Sequence, residues 1–280
     1  MNVRDGAAST ASPLKTRPAV EQQRVDGRGS PVLFAIEVDP HRRLENPVAA
    51  FLYRALEITA SFIALVVFLP VMLIEAAIIK MDSPGPALFF QMRYGRSRIM
   101  RGSELEGRTD IISETGRFEP DKFYWVPTVF RFVKFRTMYV DARERFPDYN
   151  TFNFKNHEEF REGFYKLDDD PRVTPAGRWL RKITVDELPN FWNIVTGKIS
   201  LVGPRPESPD FLPYYSAEQM RKFTVRPGIT GLAVTNGRGK LSIGGQIDWD
   251  LVYVREHSVM LDIKTLFATA WLILVRRGAF

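Results

Sequence analysis

From Ile58 to Ile74 the chain runs for about 17 residues without a charge, close to the shortest stretch that can cross a bilayer's hydrocarbon core. Pro70 stands inside this run. Proline removes a backbone donor and crowds the preceding turn, so a helix bends or breaks there. Three structures compete: the buried helix of a soluble protein, a kinked spanning helix, and a helix-break-helix hairpin that enters and leaves one leaflet. A soluble core helix is seldom apolar on every face over such a length. Arg42, Arg43 and Arg54 precede the run; Lys80, Arg93, Arg96 and Arg98 follow it. Lys and Arg favour the cytoplasmic side. Basic flanks at both ends therefore favour the hairpin over 47–81, broken at Pro70, although an anionic surface would attract them too.

The other constraints are looser. A chain of 280 residues with 45% apolar side chains can bury one large core. The net charge of +6 suggests an anionic partner, whether nucleic acid, anionic lipid or a phosphorylated substrate, or a simple excess that aids solubility. The absence of cysteine excludes a disulfide framework, a thiol nucleophile and thiolate metal sites. Residues 1–46 are rich in Ala, Ser, Pro, Gly and Arg and read as a disordered tail. The apolar patch Val32 to Val38 within them is either a docking strand or nothing. Ala87 to Met92 and Phe130 to Met138 carry strand patterns, and alternation would place Lys134 and Arg136 on one strand face. Between these, 99–129 is polar, Gly-containing and reads as an inserted surface loop. Phe211 to Phe223, Asp248 to His257 and Leu261 to Val275 read as helices; the last would lie at an interface or pack on the hairpin. Asp168 to Asp170 before Pro171 suits a solvated turn better than a metal site. His41, His157 and His257 lack ligand-like spacing, and neither a Walker loop nor a Rossmann glycine pattern is present.

The chemistry concentrates between Thr184 and Pro206. Asp186 and Glu187 are adjacent carboxylates just before Pro189, which suits a first helical turn. Leu188, Phe191, Trp192 and Val195 recur at helical spacing and would form a buried face. The acids then either cap that helix and complement its dipole, or serve chemistry at a terminus that attracts phosphate. Arg181 and Lys182 lie just upstream. Gly203-Pro-Arg-Pro206 holds Arg205 in a stiff turn, and Arg226-Pro227 repeats the arrangement; a rigid guanidinium loses little entropy when it clamps phosphate.

These segments occur in a recognisable order. Asp82-Ser-Pro-Gly-Pro86, Lys134-Phe-Arg-Thr-Met138, Asp170-Pro-Arg-Val-Thr174, Asp186-Glu-Leu-Pro189, Gly197 through Pro206, and Arg226-Pro-Gly-Ile-Thr-Gly-Leu232 together resemble the bacterial sugar transferases, the monotopic phosphoglycosyl transferases. The resemblance covers 47–280 and is to the short, single-hairpin form. It implies an α/β fold: a re-entrant membrane helix hairpin, a small sheet and interfacial amphipathic helices, with 82–280 as the catalytic domain. It further implies transfer of a sugar 1-phosphate from a UDP-sugar to polyprenyl (undecaprenyl) phosphate, releasing UMP and initiating exopolysaccharide, capsule, O-antigen or other glycoconjugate synthesis. By the same resemblance, Asp186 is the nucleophile that becomes a phosphosugar-aspartate. Glu187 assists with protons or metal, and both acids bind magnesium (Mg2+). Arg205, Arg181, Lys134, Arg136 and Arg226 hold phosphate. The catalytic domain is expected to face the cytoplasm at the inner membrane leaflet, and the 99–129 insertion is expected to touch the nucleotide or the lipid, or to form a subunit contact as in a homodimer. Leu69 replaces the serine common before the family's proline, and Leu232 to Arg238 lacks a common glutamine.

Two other classes predict different behaviour. A catalytically inactive membrane scaffold that recruits later glycosyltransferases would need neither the acidic pair nor the two Arg-Pro turns. A nucleic-acid-binding module is suggested by charge alone, without a binding motif.

Overall fold

The computed structural model describes residues 33–38, 47–113, 115–149, 154–164, 169–237 and 240–275. The apolar run lies in one 36-residue helix, α1 (Pro47–Asp82), with Pro70 inside it. Two separate helices with a break between them do not form. The proline withholds a single backbone bond, and the rest of the ladder carries the helix through.

Helix α1 is inside-out. Glu57, Ser61, Glu75 and Ile79 form a narrow buried stripe against the body. The opposite face is apolar and bare, with Phe51, Leu56, Phe62, Val67 and Leu73 all more than half exposed. A helix that packs in water has the reverse pattern. By length and composition α1 could cross a membrane. Yet both halves of it hold one body. Before the proline, Arg54 donates to the carbonyls of Ile199, at 3.1 Å, and Ile194, while Glu57 accepts from the amide of Leu201 at 2.8 Å. After the proline, Met72, Ala76 and Ile79 pack on Phe135, Leu180 and Val185. A simple span would carry one end away from that body.

Strand β1 (Leu33–Val38) lies within the segment expected as tail. It pairs in parallel with β3 (Ile111–Ser113) and antiparallel with β4 (Phe123–Phe135), and Ala35 and Ile36 are buried in the main core. The apolar patch is therefore a docking strand; residues 1–32 and 39–46 lie outside the described residues. Strand β2 (Leu88–Arg101) completes the sheet in the order β2-β4-β1-β3. The β2–β4 pair runs from Leu88↔Phe135 to Arg101↔Phe123, with an irregularity between Tyr94 and Ser97. This corrects the expectation for 99–129. Part of that segment is strand, because Tyr124 and Val126 alternate inward on β4 and join the main core. Only helix α2 (Gly102–Leu105), β3 and their turns stand apart from the hairpin.

Short helices α3 (Ala142–Arg145) and α4 (His157–Glu162) follow, then α5 (Pro175–Ile183) and α6 (Phe191–Val195). Strands β5 (Ser200–Val202) and β6 (Gly228–Thr230) form a separate parallel pair. Phe211 to Phe223 is not one helix but two 3-10 turns, Pro209–Tyr214 and Gln219–Thr224, with Pro213 inside the first and extended backbone at Tyr215 between them. Helices α7 (Leu232–Gly237), α8 (Ile243–Glu256) and α9 (Val259–Leu274) close the chain. Buried Asp262 on α9 accepts from Tyr53 of α1 at 2.7 Å and from Tyr253 at 2.8 Å. The far side of α9 leaves Phe267, Trp271 and Leu274 exposed.

Candidate active site

Helix α5 begins with Thr174, whose hydroxyl accepts the Gly177 amide at 3.0 Å, and Pro175 fills its first turn. A Cβ on Gly177 would come within 2.1 Å of the Thr137 carbonyl, so the helix start lies directly on the chain leaving β4. The helix ends at Thr184, a β-branched residue in the left-handed region at φ 61°. Such a conformation costs about 1–3 kcal/mol and persists only where the surroundings enforce it. Here it turns the chain so that Asp186 reaches β4: the Asp186 carbonyl accepts the Phe135 amide at 2.9 Å.

Asp186 is 7% exposed, and Glu187 beside it is partly buried. Glu187 precedes a 3-10 turn, Leu188–Asn190, but its side chain caps nothing. Glu187 therefore does not serve as a helix cap. The expected buried face of Leu188, Phe191, Trp192 and Val195 does not form either. The chain enters α6 through the 3-10 turn, so helical spacing fails across the junction. Asn190, Asn193 and Ile194 face inward, and Trp192 is 57% exposed. Asn193 supplies what a strand neighbour would: its oxygen accepts the Val133 amide at 3.2 Å, and its nitrogen donates to the Arg131 carbonyl at 2.8 Å.

Two of the expected cations meet the dyad. Burial and the facing guanidinium of Arg181 push the Lys134 ammonium down to about 8, against the pull of Asp186 and Glu187. Arg181 donates from Nε to the Thr137 hydroxyl at 2.9 Å and faces both Asp186 and Asp170. Burial lowers its pKa below the usual guanidinium value, and the two acids oppose that shift. Asp170 is held in turn by Arg172 through bonds of 2.9 and 2.8 Å. Burial resists ionisation of Asp170, but these bonds outweigh it and keep the carboxyl low. The turn at 169–172 is thus an ion-paired brace beside Arg181, with Asp168 outside the described residues.

Arg136 does not join them. Beyond Phe135 the strand ends, and alternation with Lys134 no longer applies. Its guanidinium donates to the Pro86 carbonyl at 2.7 Å and to the Ser83 hydroxyl and carbonyl at 2.7 and 2.8 Å. It locks the C-terminal end of α1, where helical carbonyls lack partners.

Arg205 and Arg226 belong to the adjoining β5–β6 platform. There the two Arg-Pro turns are bonded back to back: the Gly203 amide donates to Thr230 at 2.9 Å, and the Gly228 amide to Pro204 at 2.9 Å. A Cβ on Gly203 would stand 2.4 Å from the Arg226 carbonyl, so only glycine permits this approach. Beneath it lies a buried charge cluster: Lys222 contacts Asp250 at 2.9 Å and Glu207 at 3.3 Å, and Asp250 accepts the Arg205 amide at 3.3 Å. Tyr94 of β2 exchanges two backbone bonds with Glu207, which fixes the platform to the sheet. Arg93, not singled out as a site residue from sequence, bridges the two parts. It is among the charges that act on Lys134, and it donates to the Pro206 carbonyl at 3.5 Å. A sheet residue opposite Phe130 in the pairing carries no local sign of such a role.

A model of the family described as bacterial sugar transferase matches residues 48–101 and 119–276. The chain belongs to the bacterial sugar transferase family. The match spans the dyad, its cations and both Arg-Pro turns, and passes over 102–118, a narrower gap than the expected insertion. Among relatives, the galactosyl transferase CpsE of Streptococcus agalactiae serotype III is 34% identical over 81% of this chain and 43% of its own length. A UDP-N-acetylgalactosamine-undecaprenyl-phosphate N-acetylgalactosaminephosphotransferase of Aeromonas hydrophila is 34% identical over 84% of this chain and 47% of its own. The exopolysaccharide production protein ExoY of Rhizobium meliloti is 31% identical over 84% of this chain and 91% of its own. This sugar transferase thus spans under half the length of the first two relatives and most of the third.

Proposed function

We propose that this sugar transferase moves a sugar 1-phosphate from a UDP-sugar to a polyprenyl phosphate through a covalent intermediate on Asp186. The observation that carries this reading is the position of the dyad. Val185, next to Asp186, packs on the inner stripe of α1, whose outer face is bare and apolar. A water-soluble donor and a lipid acceptor can both reach such a boundary. Exposed Trp192 and Trp271 suit the headgroup level, where amphipathic rings collect. The attachment of both halves of α1 to one body supports entry and exit on one leaflet. We place the body on the cytoplasmic side of the inner membrane.

In the first step an Asp186 carboxylate oxygen attacks the phosphorus nearest the sugar. The bond from that phosphorus to the bridging oxygen breaks, and UMP leaves with the electron pair. In the second step an oxygen of the lipid phosphate attacks the same phosphorus and expels the Asp186 carboxylate. The product is a polyprenyl diphosphate sugar. Division into two displacements makes each easier. Lys134 and Arg181 lie where they offset the repulsion between an anionic nucleophile and a diphosphate. Arg205 and Arg226 hold the remaining phosphate or the nucleotide. Asp186 and Glu187 offer hard oxygen donors of the kind Mg2+ takes. Among the described residues no three acidic or histidine side chains are gathered as a cation cage. That suits an ion completed by substrate phosphates and water. When bound, it would supply charge neutralisation at the diphosphate.

The test uses detergent-solubilised full chain with magnesium and a panel of UDP-sugars. UMP should appear, and donor without acceptor should leave a phosphosugar mass on the Asp186 peptide. Asp186→Asn should fold and bind membrane but give neither signal. Turnover near wild type in that variant would overturn the reading.

A further inference from the structure

The buried stripe of α1 carries two glutamates with opposite fates. Glu57 is fully bonded: Arg54 lies at 2.8 Å, the Leu201 amide at 2.8 Å and the Ser200 hydroxyl at 3.3 Å. Its carboxylate joins the membrane helix to β5, which is a structural task. Glu75 is equally buried at 2% exposure, yet neither of its oxygens has a hydrogen-bond partner among the described residues. Burial of a carboxylate without partners costs several kcal/mol.

Glu75 shares its helix face with Met72 and Ile79, which pack with Ala76 on Leu180 and Val185. The charged group that acts on it is Asp186. The packing of α1 on Val185 brings Glu75 within charge-interaction range of Asp186, and the Lys134 and Arg181 charges already act on Asp186. Such a pair needs a cation or a proton between its members. The open oxygens of Glu75 and the phosphate chemistry at Asp186 favour the cation.

We propose that Glu75 is a ligand of the divalent cation at Asp186, so that the membrane helix itself contributes to the metal shell. This rests on the magnesium-dependent reading above and deepens it. With Glu75, the ion is shared by two carboxylates from different elements, Glu75 on the anchor and Asp186 on the body, and Glu187 serves proton handling. Metal loading then clamps α1 to the loop that bears the nucleophile.

The experiment titrates Mn2+ alone, read by electron paramagnetic resonance, into detergent-solubilised full chain without substrates. Glu75→Gln keeps size and removes the anionic donor; its affinity for Mn2+ should fall at least tenfold, with an unchanged or higher melting temperature in the absence of metal. Wild-type affinity in Glu75→Gln would overturn the assignment and leave Glu75 as a protonated packing residue. Glu75→Asp keeps the charge but retracts it by one methylene. It reads the same question should the amide fail to fold: weakened Mn2+ binding supports ligation, and undiminished binding refutes it. The readout involves no turnover. Absence of an Asp186 adduct alongside lost Mn2+ binding in Glu75→Gln would therefore sink the covalent reading and spare the metal assignment.

Discussion

Replacement of Lys134 by methionine should make the protein more stable and less active. The lysine is pressed from its ordinary 10.5 to about 8 by burial and the facing Arg181, with Asp186 pulling the other way. Taken whole, that shift is about 3 kcal/mol of strain on the charged form at neutral pH. Partial exposure of the side chain reduces this to about 1–2 kcal/mol. At roughly 2–4 °C per kcal/mol for a body of this size, Lys134→Met should melt about 2–8 °C higher at pH 7. The sign can be checked by pH. Between about 8 and 10.5 the unfolded lysine holds a proton that the folded one has released, so wild-type stability rises with pH there. The gap between the two proteins should therefore narrow from pH 8 to 10. Loss of a charge-assisted phosphate contact, worth about 1.5–3 kcal/mol, should lower kcat/KM roughly 10- to 100-fold. Scanning fluorimetry from pH 6.5 to 10, paired with UMP release, measures both. A melting gap that stays constant across that range would refute the argument that the ammonium is destabilised in place.

Two further substitutions separate structural from chemical charges. Arg136→Met leaves the Ser83 and Pro86 acceptors without their donor and should cost about 3 kcal/mol in thermal unfolding, with an unchanged KM for the donor; a raised KM at intact stability would place Arg136 on substrate after all. Lys222→Met strands buried Glu207 and Asp250 and should cost about 3–5 kcal/mol. Burial already raises the Asp250 pKa, so this loss should shrink as pH falls and the acid takes up its proton. A melting curve indifferent to pH would show that the acids were not left unpaired.

The local signals read correctly wherever they reflected local physics. The uncharged run announced α1, although Pro70 was expected to break it and does not. Adjacent acids between basic segments pointed to the dyad, and Lys134 and Arg181 do meet it. The misreadings turn on partners distant in sequence or on a local break in regular spacing. Lys134 and Arg136 alternate like a strand pair, but the strand stops between them and Arg136 answers a helix end some fifty residues earlier. Trp192 was assigned to the core because helical spacing was counted through a 3-10 turn. The 99–129 segment looked irregular because Pro127 and its charges obscure the alternation of Tyr124 and Val126. Glu75 reads as one acid at the end of an apolar run; only the packing of α1 on Val185 brings it to Asp186.

The bare apolar helix α1 cannot be trimmed away without unmaking the body it covers. Truncation before Ser83 would strip the cover from Leu180 and Phe135 and remove the Ile79 carbonyl from the reach of Arg136. It would also leave the Leu201 amide without its acceptor and deprive Asp262 of Tyr53. In this protein the bare apolar helix is also a wall of the body that holds the acidic dyad, so purification must preserve an amphiphilic surround from the first step.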